Sequence, residues 1–381
     1  MRIAYIGQKG IPAKSGGVEK HIEEIATRMA KRNHQVFVYA RKNYTEANLK
    51  KYKGVQIINL PSLSTKNLDA ISHTFIATLH ALFQNYDVIH YQAIGPSSLL
   101  FIVKLFKRKT AIVATHHCQD YFHKKWGFLA RAYLRLGEYI AVNFSDQIIA
   151  VSKNLNNYIE VKYHKKAEVI TNGVDVVPAE KSDYLEKWNL QKGDYVVYIG
   201  RLIRHKGVHY LIKAFKNLES KHLTRGKKLV IVGGGFYTEN YVKELKDLAR
   251  GEENIIFTGD LKGEELRQIF SHSYLFVQPS ESEGLSIALL EAMGYGKAIL
   301  SSDIKENKEP LNDKTALFFQ SGNHIDLEEK LVYLINHPAL AKQMGERARE
   351  KARKEYSWDT IVDETESVYE KVLSQKRKAK P

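Results

Sequence analysis

The chain has 381 residues and a mass of 43.6 kDa, too long for one ordinary core and suited to two domains of about 150 to 200 residues each. Apolar residues make up 44% and charged residues 27%, with eight prolines against 24 glycines, a balance that excludes long disorder. The formal charge of +15 is uneven: residues 1–177 hold 25 Lys/Arg against 12 Asp/Glu, whereas residues 178–381 hold 33 against 31. The first half therefore attracts polyanions, either nucleic acid or an anionic membrane surface or lipid phosphate. The single Cys118 excludes an internal disulfide, and no Cys/His cluster has zinc spacing. A reducing compartment is expected. Met1 to Tyr5 leads straight into a strand pattern with no separate basic and apolar regions, so a secretory leader is not expected and the cytoplasm is. The most apolar stretch, Leu99 to Val103, stops at Lys104, well short of a membrane span.

In chain order, Arg2 to Gly7 reads as a strand entering a glycine loop, and Val18 to Arg32 as a helix with Ile22, Ile25 and Met29 on one side. Gln35–Ala40 and Ile57–Leu60 follow as strands, then Leu68–Asn85 as a helix, Val88–Tyr91 as a strand, Ser97–Lys107 as a helix and Ala111–Thr115 as a strand. A helix over Phe128–Asn143, a strand over Gln147–Val151, a helix over Asn154–Tyr163 and a strand over Glu168–Thr171 complete a first round of alternation. Residues 178–194 are polar and read as a linker between a first domain, 1–177, and a second, 195–355. The second domain alternates again, with strands at Tyr195–Ile199, Lys228–Val232, Ile255–Thr258, Leu275–Gln278, Ala298–Ser301 and Ala316–Phe318. Residues 356–381 are predicted as a final helix over Thr360–Leu373 and a solvated basic tail. The fold class is α/β: two doubly wound, Rossmann-like domains facing a cleft, with ligands expected outside the strand ends.

Several clusters at predicted strand ends can carry chemistry. Gly16-Gly17 lies at a helix start, where backbone N–H groups can approach an anion, or where the loop is simply flexible. Neither GxGxxG nor GK[ST] spacing is present, which disfavours a dinucleotide site and a nucleoside triphosphatase. Arg201 and Lys206 flank the turn after Tyr195–Ile199, and both can converge on a diphosphate, one as a planar fork and the other as a point charge. Read without a ligand, they are a solvated basic turn. Glu283, Gly284, Leu285 and Ser286 enter an apolar helix that carries Glu291. Read as eight residues of helix, the two carboxylates are roughly 12 Å and 80° apart and would grip different parts of a long ligand rich in hydroxyls. The amides of Gly284, Leu285 and Ser286 can take an anion or a sugar oxygen. His117 follows Ala111–Thr115 and is placed to hydrogen-bond a reacting group, while His116 packs or caps, and His90 and Gln92 line the same side. No D-x-D triplet occurs, so a metal holding a diphosphate is not expected.

Taken together, Gly16-Gly17, His117, Arg201 with Lys206, and Glu283 with Glu291 in an E-x7-E arrangement resemble a retaining glycosyltransferase of family 4, with the two-lobed GT-B fold, over nearly the whole chain. The segments Gly10-Ile11-Pro12-Ala13 and 68–74 further resemble bacterial members that build surface polysaccharides. The resemblance implies that Arg201, Lys206, Gly16 and Gly17 bind the donor diphosphate. It implies that Glu283 and the amides of Gly284 to Ser286 hold the donor sugar, that Glu291 holds the ribose, and that His117 contacts the reacting centre. His117 and Glu283 are the catalytic candidates. Cys118 and Leu285-Ser286 depart from the residues common at these places in the family, which leaves the donor sugar open. The last helix, with Trp358, is expected to brace the first lobe.

The expected activity is hexosyl transfer, with retention, from a nucleotide diphosphate sugar to a hydroxyl of a lipid-linked glycan, needing neither metal nor other cofactor. The positive first lobe then faces an anionic membrane surface, placing the protein at the inner face of the plasma membrane. Residues 97–109 are either an interfacial helix or an internal one with a basic end. Nucleic acid is the weaker explanation of the charge, since no recognisable module is present. The rival readings are a nucleotide-sugar epimerase or hydrolase of the same fold, and a two-lobed binding protein.

Overall fold

The computed structural model describes the chain apart from Ser15, Ala47, Lys66, Asn67, residues 123–126, Phe236, Tyr237 and residues 379–381. The end of the predicted basic tail thus lies outside the described residues. Two compact units divide the chain, one formed by Met1–Asn172 with Trp358–Pro381, the other by Gly173–Ser357.

The first unit is built on β1 (Arg2–Ile6), β2 (Gln35–Arg41), β3 (Lys51–Tyr52), β4 (Val55–Leu60), β5 (Val88–Gln92), β6 (Ala111–His116), β7 (Gln147–Ala150) and β8 (Glu168–Val169). Their order across the sheet is β3-β4-β2-β1-β5-β6-β7-β8, parallel except for β3 against β4. Continuous apolar runs such as Ile3 to Ile6, fully buried, are what a parallel sheet covered on both faces requires. The register pairs Ile3 with both Val36 and Val88. The antiparallel β3 was not predicted. It is two residues long and turns through Lys53 and Gly54, both at positive φ, too short for any period to show.

The second unit contains β9 (Tyr195–Ile199), β10 (Lys228–Val232), β11 (Ile255–Gly259), β12 (Leu275–Gln278), β13 (Ala298–Ser302) and β14 (Leu317–Phe319), all parallel. The order β11-β10-β9-β12-β13-β14 is that of a full doubly wound sheet, with its winding reversed between β9 and β12. At such a reversal the connections leave toward opposite faces, and a crevice opens beyond the strand ends.

Two expectations are corrected. Residues 178–194 are not a linker: Leu185 is buried, the Ala179 amide donates to Ser271 Oγ at 2.9 Å, and the Tyr184 amide donates to Gln268 Oε1 at 2.9 Å, so the segment packs on the second unit. Its polar composition hid the few apolar anchors. The helix predicted over Ser97–Lys107 is two helices, Ile94–Ser97 and Leu100–Phe106. Ser97 Oγ donates back to the Ala93 carbonyl at 2.8 Å, a local bond that competes with helix continuation.

Helix Trp358–Lys378 closes the first unit. Trp358, Val362, Tyr369 and Val372 join the core of β1, β2 and helix Gly17–Lys31. Arg32 Nη1 lies 2.6 Å from Asp363 Oδ1 and 2.8 Å from Glu366 Oε2.

Candidate functional site

In the second unit the loops after β9 and β12, the two strands flanking the winding reversal, touch. After β9 the chain passes Arg201, makes a single 3-10 turn at Arg204–Lys206 and enters helix Val208–Ser220 through Gly207. Gly207 has φ 70°, and a Cβ built there would lie 1.8 Å from the Pro279 carbonyl oxygen. Only glycine permits that approach. Two more links fasten the loops: the Glu281 amide donates to the His205 carbonyl at 2.8 Å, and Tyr210 OH donates to Glu281 Oε1 at 2.6 Å.

The result is a direct ion pair. Lys206 Nζ lies 2.6 Å from both Glu283 oxygens, with the two side chains 16% and 7% exposed. Glu283 Oε1 also accepts from Gln278 Nε2 at 2.5 Å and from Ser280 Oγ at 2.6 Å. Neither Gln278 nor Ser280 was given a role from the sequence, although both sit where β12 ends. Beneath them Tyr198 is fully buried and donates to the Arg201 carbonyl at 3.1 Å. Burial foremost, then the Glu283 charge, holds its hydroxyl well above the ordinary tyrosine range, with the Arg201 charge acting the other way. One buried ring thus senses both Arg201 and Glu283.

Glu283 lies in the loop that enters the helix carrying Glu291, as expected from the sequence. Helix Ile287–Gly294 begins after Ser286, whose hydroxyl caps it by accepting from the Leu289 amide at 3.3 Å. The eight-residue helical separation of Glu283 and Glu291 is therefore corrected: half of the interval is loop, because the Gly284 region turns before the cap. Gly284 and Leu285 lie in that loop, and Leu285 is buried. Glu291 is half-buried on the helix, and its charge adds to burial in raising the Tyr295 hydroxyl.

In the first unit Gly16 has φ 101° and precedes helix Gly17–Lys31, which has no side-chain cap. Two acids of that helix hold the chain ahead of it. The Lys9 amide donates to Glu19 Oε1 at 3.1 Å, the Ala13 amide donates to Glu23 Oε2 at 2.7 Å, and Tyr52 OH donates to the other Glu23 oxygen at 2.9 Å.

His117 follows β6 and is buried, with Nε2 2.8 Å from Gln92 Oε1 and its ring edge-on to His21 at 5.0 Å. His21 bonds Asn172 at 2.8 Å and lies against Trp358, while His90 bonds Thr115 and Tyr369, each at 2.7 Å. Burial, followed by the charges of His21, His90 and His116, lowers His117 well below the usual imidazole range. Burial likewise lowers His21 to about 4 and His90 to about 3. His117 is thus neutral at pH 7 and keeps its capacity to hydrogen-bond. His116 faces the opposite way, 3.1 Å from the fully buried Glu138. His21 was missed because it sits in an ordinary helical stretch; its role appears only when β6 and the last helix close around it.

Among the described residues no group of three or more His, Cys, Asp or Glu is arranged to hold a metal ion, and no helix is long and apolar enough to cross a membrane.

Residues 15–177 match the family model described as Glycosyltransferase Family 4, and residues 180–351 match the one described as Glycosyl transferases group 1. An uncharacterized glycosyltransferase of Methanocaldococcus jannaschii is 27% identical over 369 residues, covering 94% of this chain and 95% of its own. Among solved structures, sucrose-phosphate synthase from Thermosynechococcus elongatus superposes with a TM-score of 0.84 at 18% identity, over 98% of this chain and 99% of that one. HepE of Anabaena, solved in complex with UDP-glucose, superposes with a TM-score of 0.79 at 20% identity, over 97% and 100%.

Proposed function

Because the chain belongs to glycosyltransferase family 4 and has the two Rossmann-like units of the GT-B fold, we propose that it moves a hexosyl group from a nucleotide diphosphate sugar to a hydroxyl of a lipid-linked glycan, with retention, in cell-surface polysaccharide synthesis. The observation that carries this reading is the meeting of Lys206 with Glu283 at the winding reversal of the second unit, next to Arg201. That place combines cations for a diphosphate with a carboxylate for sugar hydroxyls. The Anabaena neighbour crystallised with UDP-glucose supports the donor class.

In this reading Arg201 and Lys206 take the diphosphate, Gly16 and Gly17 approach it by backbone, Glu283 with the amides of Gly284 to Ser286 holds the sugar, and Glu291 holds the ribose. The bond from the anomeric carbon to the phosphate oxygen breaks, and the acceptor oxygen bonds to the same face. The acceptor proton passes to the departing phosphate. Charge grows on that phosphate as the bond breaks, so the two cations stabilise the transition state more than the ground state. His117, neutral, contacts the sugar as a hydrogen-bonding group. Catalysis is metal-independent. The basic first half supports a peripheral position at the inner face of the plasma membrane, where lipid-linked acceptors would be presented.

The test is incubation of purified protein with a panel of nucleotide sugars, with and without a lipid-linked acceptor, followed by assay of free nucleoside diphosphate and product anomer. Acceptor-dependent release with a retained anomer is expected. Isomerised donor without acceptor would instead identify an epimerase, and hydrolysis indifferent to acceptor a hydrolase.

A further inference from the structure

Three helices of the first unit, Asp69–Leu82, Leu100–Phe106 and Phe128–Phe144, form one flank, the middle one packing on both others. Large apolar side chains stand in solvent along it, among them Phe75, Phe83, Leu105, Phe106, Leu129 and Leu136. Phe83 is 86% exposed, Leu129 81% and Phe106 68%. Among the described residues most of the exposed large hydrophobics of the whole chain belong to this stretch. A patch of that kind is seldom left to water without a partner.

The charges of the flank have one sign. The only acids in the three helices are Asp69 and Glu138, and both are buried. Asp69 pairs with Arg41 at 2.8 Å, and Glu138 accepts from Tyr158, Lys162 and Tyr163 at 2.7, 2.7 and 2.6 Å. Asp146, near the end of the flank, is engaged by Lys104 and Lys376. Facing solvent are Arg135 and, just past the middle helix, Arg108 and Lys109, with Lys107 half-buried beside them. A depression of about 450 Å³ opens there, lined by Gln84, Leu105, Phe106 and Lys107 to Lys109.

We propose that this flank docks on an anionic bilayer, its phenylalanines and leucines entering the interface while Lys107, Arg108 and Lys109 engage lipid phosphates at the depression. The charge complementarity selects the occupant: an apolar face bordered by cations, whose three helices carry no exposed carboxylate, matches acyl chains beneath anionic headgroups. The inference rests on the reading of a lipid-linked acceptor, and it names the surface by which such an acceptor is reached.

Co-sedimentation of the full chain with phosphatidylcholine vesicles, with and without phosphatidylglycerol, tests it. Binding is expected only with phosphatidylglycerol, and it should weaken as salt rises. Phe83→Ser/Phe106→Ser and Lys107→Ser/Arg108→Ser/Lys109→Ser should each weaken it by about tenfold, since apolar burial and headgroup attraction both contribute. Donor hydrolysis in the absence of vesicles should be unchanged in both variants, which separates loss of docking from loss of the enzyme. If the double variant melts lower than the parent, Phe83→Ser alone replaces it. Sedimentation that the variants do not alter, absence of binding to both vesicle types, or a dimer that the apolar variant dissociates would overturn the proposal. Vesicle binding by a protein that proves to be no transferase would sink the proposed function and leave the surface standing.

Discussion

Lys206 and Glu283 are 77 positions apart in the chain, yet the Lys206 ammonium reaches both oxygens of the Glu283 carboxylate at 2.6 Å. The pair gives Glu283 a task besides the sugar contact proposed for it: it keeps the ammonium at the strand ends, where the proposed diphosphate would arrive. Gln278 and Ser280 keep the carboxylate from turning away.

Lys206→Met should lower kcat/KM by about 10² to 10³, the usual effect of removing one donor to a developing charge. It also strands a largely buried carboxylate, at a cost of about 3 kcal/mol. Lys206→Met/Glu283→Gln should recover much of that stability and none of the activity. Urea unfolding and initial rates on the three proteins check both halves; recovered activity in the double variant would contradict the role given to Lys206.

Gly207→Ala places a methyl carbon against the Pro279 carbonyl at a residue with φ 70°. Strain of about 1 to 2 kcal/mol is expected from the backbone alone. The larger effect should be on turnover, because parting the two loops parts Lys206 from Glu283. A variant with a lower melting temperature and unchanged kcat/KM would show that the contact is structural only.

Acid should destabilise the first unit at a predictable pH. The folded-state values of His21, about 4, and His90, about 3, lie below the unfolded value near 6.5. The unfolded chain therefore binds more protons through that window, so the contribution of these histidines is constant above about pH 6.5 and is lost as pH drops toward 4. The loss is on the order of a few kcal/mol per buried histidine. Thermal melts at pH 7.5, 6 and 5 should show it. By the same argument kcat/KM should show no histidine inflection between about pH 6 and 8; an inflection abolished by His117→Asn would show that His117 titrates in turnover.

Glu291→Ala should raise the donor KM by about tenfold while leaving kcat nearly intact, as expected for a ribose contact made equally in ground and transition states. EDTA should leave all rates unchanged. Activity lost in EDTA and restored by manganese would contradict the metal-independent mechanism.

Much of this protein was legible before any coordinates. Alternating apolar runs and helical spacing placed strands such as Tyr195–Ile199, Lys228–Val232 and Leu275–Gln278 at their observed bounds, because a strand buried on both faces must be apolar throughout. The candidate residues were chosen for a related reason: in a doubly wound sheet, ligands bind beyond the strand ends, where polar residues and glycines gather; the structure brings Lys206 and Glu283 together there. Strand order was not legible, since pairing joins residues distant in the chain. Nor was the contact of Gly207 with Pro279, which depends on two loops meeting at the winding reversal. The neutrality of His117 likewise came from tertiary structure alone, because a side chain's charge is set by what surrounds it: His21, Gln92 and His90 arrive from separate elements, and only their convergence removes the water that would keep the ring titratable.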